Sequence, residues 1–151
     1  MNIAGIKYND IADGLGVRTT VFVSGCRRHC RGCHNPETWD FNYGKPFTEE
    51  LQREIIESLK PGWIQGLTVC GGEPFEPENE AELIPFLERV RKLLPDKNIW
   101  IYTGYTLEEL RGRRLLDYAD VLVDGPFVEE QKDAGLSFLG SRNQRIHHLK
   151  N

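Results

Sequence analysis

Four short apolar runs, each closed by a glycine turn, constrain the fold of this chain more than any other feature. Arg18 to Ser24 (RTTVFVS), Leu67 to Cys70, Asn98 to Thr103 (NIWIYT) and Val121 to Val123 have the β-branched and aromatic character of buried strands. Helical segments separate them. Thr48 is placed to cap a helix opening with Glu49 and Glu50, in which Leu51, Ile55 and Leu59 recur on one face before Lys60-Pro61-Gly62 ends it. Asn79 with Glu82 offers a cap for a second helix bearing Leu83, Phe86, Leu87, Val90 and Leu94, with Pro85 disturbing its opening turns and Pro95 closing it. A third, weaker helix is predicted from Thr106 to about Tyr118. Parallel neighbours need crossover connections, so this alternation predicts an α/β fold with a mostly parallel sheet of four or five strands.

The unusual residues sit at the strand ends: Ser24-Gly25-Cys26, Cys70-Gly71-Gly72-Glu73, Thr103-Gly104-Tyr105 and Asp124-Gly125. Ligands of parallel α/β sheets collect on that edge, so one shared pocket is expected there. For any single turn, a glycine can equally serve only the chain reversal.

The 151 residues suffice for one domain, residues 1–151, and contain neither an internal repeat nor a low-complexity segment. Apolar residues at 39% and charged residues at 28% describe a folded rather than a disordered chain. Nineteen basic against 23 acidic side chains give a charge of −4, without the basic excess that nucleic acid demands, so nucleic acid is not an expected partner. No apolar run approaches the roughly 18 residues of a membrane span, and Met1 to Asp10 has neither a basic start nor a hydrophobic stretch. A cytoplasmic protein with no membrane partner is expected.

Three of the four cysteines, Cys26, Cys30 and Cys33, fall within eight residues, and Cys70 stands apart. In a reducing compartment such a cluster reads as metal ligands or redox groups before disulfides. Three thiolates are one short of a closed zinc site or an ordinary 4Fe-4S site, and so leave one metal position open to an outside molecule. Zinc with His29 or His34 as fourth ligand is the competing reading, and a redox pair at Cys30 and Cys33 would leave Cys26 unexplained.

The spacing Cys26-x-x-x-Cys30-x-x-Cys33, with Gly71-Gly72-Glu73-Pro74 after the next strand, resembles the radical S-adenosylmethionine enzymes. Within that superfamily, the run Cys26 to Asn35 (CRRHCRGCHN) followed by Thr38-Trp39 is similar to the glycyl-radical-enzyme activases. The short chain, Val123-Asp124-Gly125 and the ending Gly140-Ser141-x-Asn143-Gln144-x-x-His147-His148-Leu149 resemble the activases that act on anaerobic ribonucleoside-triphosphate reductase, across nearly the whole chain. The resemblance implies a partial, open β/α barrel. It also implies a 4Fe-4S cluster on Cys26, Cys30 and Cys33, with S-adenosylmethionine chelating the fourth iron through its amino and carboxylate groups. One electron, from a low-potential donor such as flavodoxin, would then split the sulfonium into methionine and a 5'-deoxyadenosyl radical. That radical would take hydrogen from a glycine of the reductase large subunit.

By the same resemblance the backbone of Gly71 and Gly72 holds the methionine part of the cofactor, Glu73 accepts from its amino group, and Gly32, Cys33 and His34 lie beside the adenine. The wider superfamily commonly carries an aromatic where this chain has Gly32. Ser24, Gly25 and the loop amides are available to donate to cluster sulfurs. A neighbouring activase, such as that of pyruvate formate-lyase, and a non-catalytic zinc or iron-sulfur module are the alternatives. Cys70 is expected as a small buried strand residue, since a fourth thiolate would close the site. Asp124 is either a pocket residue or an ordinary turn residue. Arg27, Arg28 and Arg31 either meet a partner or are solvated, and His147 and His148 either touch the partner or fray.

Overall fold

The computed structural model of the chain describes residues 1–150. Seven strands form one mixed sheet among them: β1 (Asn2–Asp10), β2 (Val17–Val23), β3 (Lys45–Pro46), β4 (Ile64–Gly71), β5 (Asn98–Tyr102), β6 (Val121–Asp124) and β7 (Arg145–His148). Their order is β3-β1-β2-β4-β5-β6-β7. The four predicted strands, β2, β4, β5 and β6, are the parallel centre. The flanks are antiparallel, β3 and β1 on one side and β7 on the other, which raises the strand count above the four or five expected. Sequence pattern hides these flanks. In β1, Lys7, Tyr8 and Asn9 are all exposed, β3 has two residues, and β7 reads Arg-Ile-His-His.

Helix α1 (Glu49–Leu59) begins as predicted, with Thr48 Oγ1 accepting from the Leu51 amide at 3.1 Å. Helix α2 (Pro77–Leu93) starts earlier than its expected cap, because Pro77 already has the helical φ and needs no amide partner at the first position. Asn79 is therefore inside the first turn, and its side chain is freed for another use. Pro85 is accommodated within α2. The third helix is divided: α3 (Leu107–Leu110) carries a Thr106/Glu109 capping box, Gly112 turns at φ +88°, and a 3₁₀ turn follows at Arg114–Tyr118.

The period of two in the strands separates two faces. Val21, Val23, Leu67, Val69, Ile99, Ile101 and Leu122 pack under Ile55, Leu59, Leu83, Phe86, Leu87 and Val90 of the helices, forming the main core. The opposite face presents Phe22, Cys70 and Tyr102 toward a cavity, with Trp100, Val121 and Val123 packed against Phe138, Leu139 and Ile146. No helix among the described residues is long and apolar enough to cross a membrane.

Arg18 anchors that second face and is fully buried. Its guanidinium donates to Thr68 Oγ1 (2.7 Å) and to the carbonyls of Leu67 (2.9 Å), Leu15 (3.0 Å) and Asn98 (3.2 Å). Thr68 in turn donates to the Asp13 carbonyl at 2.7 Å, so the 11–16 segment is held across the sheet. Desolvation pushes the Arg18 guanidinium down to about 10. Arg18→Leu would leave four acceptors without their donor, two of them in buried bonds; the expected loss is about 3 kcal/mol of unfolding free energy in a urea titration. An unchanged midpoint would show that the anchor is dispensable.

Candidate functional site

Two strand ends form the frame of the site. After β2 the chain turns through Gly25 into Cys26, and after β4 it turns through Gly71, Gly72 and Glu73. Gly71 adopts φ +103°, where a side chain is strained, and a Cβ there would stand 2.6 Å from the Val23 amide nitrogen. Without side chains the turn packs directly on β2: the Gly72 amide donates to the Val23 carbonyl at 2.7 Å and the Glu73 amide to that of Gly25 at 2.8 Å. Asn79, fully buried, adds a cross-brace by donating from Nδ2 to the carbonyls of Ser24 and Glu73, both at 3.0 Å. The sequence marks Asn79 only as a helix cap, and nothing in it reports this brace.

The expectation that Ser24 and Gly25 donate to a cluster does not hold in this structure. The Ser24 amide donates to the Asn2 carbonyl, its hydroxyl to the Tyr43 carbonyl at 2.6 Å, and the Gly25 amide to the Thr38 carbonyl at 2.7 Å. The Cys26 sulfur instead accepts from the amides of Arg28 and His29, which partly offset the burial that raises its thiol pKa. Cys26, Cys30 and Cys33 are all free and partly exposed on one loop, with the Cys33 amide donating to the Cys30 carbonyl at 3.1 Å. His29, at φ +49°, stacks its ring on Trp39 at 4.4 Å. His34 leans on Phe127 at 5.1 Å. Among the described residues no three His, Cys, Asp or Glu side chains close on one point as ligands of a single ion would. A cubane takes one thiolate at each iron and so asks for wider spacing. Three free thiols on one short loop, one of them served by two amides, suit that donor set.

Beside the loop opens a cavity of about 400 Å³. Cys33, His34, Gly71 and Gly72 line it, as do Cys70, Tyr102 and Asp13, with Phe127, Leu136, Phe138 and Leu139 forming an apolar wall. Cys26 and Cys30 stand on the loop outside that lining, and Gly32 is exposed at the rim next to Glu129. Glu73 lies beneath the lining and is 1% exposed. Its Oε1 accepts from the Gly104 amide (2.7 Å), and its Oε2 from the Thr103 hydroxyl (2.7 Å) and the Phe75 amide (3.1 Å). Burial raises the Glu73 pKa, and these bonds together with the Arg28 charge pull it partly back.

Cys70 is buried, as expected, and burial with the nearby Asp13 and Asp10 charges pushes its thiol well up. Asp13 shares a hydrogen bond with Asp10, which also holds the Ala12 amide and the Thr20 hydroxyl, so the proton of the pair belongs to Asp13. Desolvation and its acidic neighbour push Asp13 up to about 7. Asp124 is neither a pocket wall nor a bare turn: fully buried, it accepts from the Leu107 amide (2.7 Å) and Arg145 (2.6 Å), with His147 Nε2 at 3.1 Å. His147 and His148 belong to β7 and are not frayed. Arg27 is exposed but paired with Glu76 and Glu78, and Arg31 with Glu129 at 3.1 Å.

A strand-end cavity flanked by three free thiols is the setting of an iron-sulfur protein, and the family model of a 4Fe-4S single cluster domain matches residues 12–147. An anaerobic ribonucleoside-triphosphate reductase-activating protein of Haemophilus influenzae is 46% identical, with 99% of each chain covered. Proteins of the same name from Vibrio cholerae (46% identical, covering 91% of this chain and 92% of the relative) and Escherichia coli (43%, covering 93% and 94%) are also similar. The chain belongs to the family of anaerobic ribonucleoside-triphosphate reductase-activating proteins.

The Asp10–Asp13 pair makes stability depend on pH. A carboxyl whose folded pKa is raised stabilises while protonated, so its contribution is present below the ordinary aspartate value of 3.8 and is lost as pH rises through about 7. The wild-type unfolding midpoint should therefore fall between about pH 5 and about pH 8 relative to Asp13→Asn, which carries no such proton. Parallel pH profiles for the two proteins would remove the pair from the account.

Proposed function

We propose that this chain is an enzyme that activates anaerobic ribonucleoside-triphosphate reductase by installing a glycyl radical on its large subunit. The carrying observation is 46% identity over 99% of the chain with a protein bearing that activating name. The match to a 4Fe-4S single cluster domain supports the cluster, and the sequence motifs support S-adenosylmethionine as its companion. In this reading Cys26, Cys30 and Cys33 each hold one iron, leaving one corner for the cofactor's amino and carboxylate groups. Bound together, cluster and cofactor supply a 5'-deoxyadenosyl radical, with methionine as the other product, when a low-potential donor such as flavodoxin delivers an electron.

The chain's residues then bind, orient and shield. Gly71 and Gly72 bring bare backbone to the cavity, suited to the methionine part. Glu73 Oε1 serves one protein donor and keeps a lone pair for an ammonium group, while Thr103 and Phe75 hold the carboxylate still. Gly32, Cys33 and His34 flank the adenine, with His34 backed by Phe127. Phe127, Leu136, Phe138 and Leu139 keep water from the reactive space. Cys70 remains a buried thiol and not a ligand.

The sheet is read as an incomplete β/α barrel, open where β3 and β7 do not meet, so that a backbone glycine of a large partner can enter. The activase domain spans residues 1–151, of which Asn151 lies outside the described residues. The protein would work in the cytoplasm, without nucleic acid or membrane partners.

Two measurements test this reading. In anaerobically reconstituted protein, Cys26→Ser, Cys30→Ser and Cys33→Ser should each lose the cluster and the release of 5'-deoxyadenosine, whereas Cys70→Ser should keep both. Iron loss in Cys70→Ser would refute the ligand assignment. With the reductase, S-adenosylmethionine and a reductant, an electron paramagnetic resonance spectrum should show a glycine-centred doublet; its absence would reject the substrate.

A further inference from the structure

Arg28 sits between Cys26 and Cys30, yet its side chain does not extend into water: 27% of its surface is exposed. The stem crosses Gly104 at the end of β5, where a Cβ would stand 2.5 Å from Arg28 Cδ and 2.8 Å from Nε. Beyond that notch the guanidinium lies 4.5 Å over the Tyr105 ring, with Nη2 4.0 Å from Glu109. The same Cβ position is 3.3 Å from Glu73 Oε1, the oxygen that accepts the Gly104 amide at 2.7 Å. Arg28, Gly104 and Glu73 therefore meet where the ends of β4 and β5 adjoin. Nε is buried without a hydrogen-bond partner, so packing and the aromatic face hold this side chain in place of a hydrogen bond to Nε. Arg27 secures the other side of the loop, its amide donating to Glu76 at 2.7 Å.

We infer that Arg28 is a positioning residue, whose passage through the Gly104 notch ties the cysteine loop to the Glu73 edge and sets the distance between the thiolates and the Gly71–Glu73 turn. The anchoring stands on the geometry alone; its consequence for S-adenosylmethionine rests on the function proposed above. The absence of a Cβ at residue 104 is then a requirement of the loop, because Gly104 has an ordinary φ that alanine would tolerate.

The test compares wild type, Arg28→Ala, Gly104→Ala and the double variant. Hydrogen exchange of the peptide covering residues 26–31 is read without the cluster, and the Kd for S-adenosylmethionine is read after reconstitution. Each single variant should exchange about tenfold faster and bind about tenfold more weakly, the size expected for one partly desolvated cation–aromatic contact. The double variant should be no worse than Arg28→Ala, since both changes delete one contact. Gly104→Ala keeps the charge, so a normal Gly104→Ala beside a weakened Arg28→Ala would overturn positioning in favour of electrostatics. Wild-type behaviour in both single variants, or additive losses, would also overturn it. Should Arg28→Ala not fold, Gly104→Ala and Arg28→Lys decide, the lysine being expected to restore part of the protection by refilling the notch. A wild-type protein that binds no S-adenosylmethionine would reject the functional reading, while the exchange measurement would still judge the anchor.

Discussion

The side-by-side pairing of β2 and β4 at their carboxyl ends is the contact on which the site depends. Val23 and Gly25 accept from Gly72 and Glu73, and Asn79 braces both segments from below. These bonds are buried, so each would cost on the order of 1–3 kcal/mol if left unmade. A side chain at either turn glycine would push the backbones apart, since a Cβ at residue 72 would lie 2.6 Å from the Gly25 carbonyl oxygen. The start of the cysteine loop and the glycine turn are thus parts of one hydrogen-bonded edge.

From that edge the chemistry follows by division of labour. Buried carboxylates act as fasteners: Glu73 joins the ends of β4 and β5, and Asp124 joins α3 to β7. Arginines do the same work with the opposite sign, Arg18 beneath the cavity and Arg28 at its edge. The three thiols of the cysteine loop, by contrast, are left free and partly exposed. Rigidity surrounds the reactive groups, which suits a site that must orient a cofactor and keep water away.

The central fold was readable because β2, β4, β5 and β6 are buried on both faces and carry near-continuous apolar runs. The flanks were not, because β1, β3 and β7 draw their strand character from pairing with a neighbour and not from their own residues. At the site, cysteine spacing and the glycine turn were legible because metal ligation and close backbone approach demand particular residue types. The roles of Asn79, Arg18 and Asp13 were not legible for the opposite reason: they arise from partners 50 to 55 residues away or from a neighbour's charge, and no local pattern reports these. Glu73 was seen as a site residue, but its three internal bonds were not foreseeable.

The most direct measurement of the central claim is Mössbauer spectroscopy of protein reconstituted with iron-57, before and after S-adenosylmethionine is added. If three thiolates carry the cluster, one iron of the cubane should change its environment when the cofactor binds, while the other three stay as they were. Four irons that are alike before and after would mean that the protein itself closes every corner, which contradicts the role assigned to Cys26, Cys30 and Cys33.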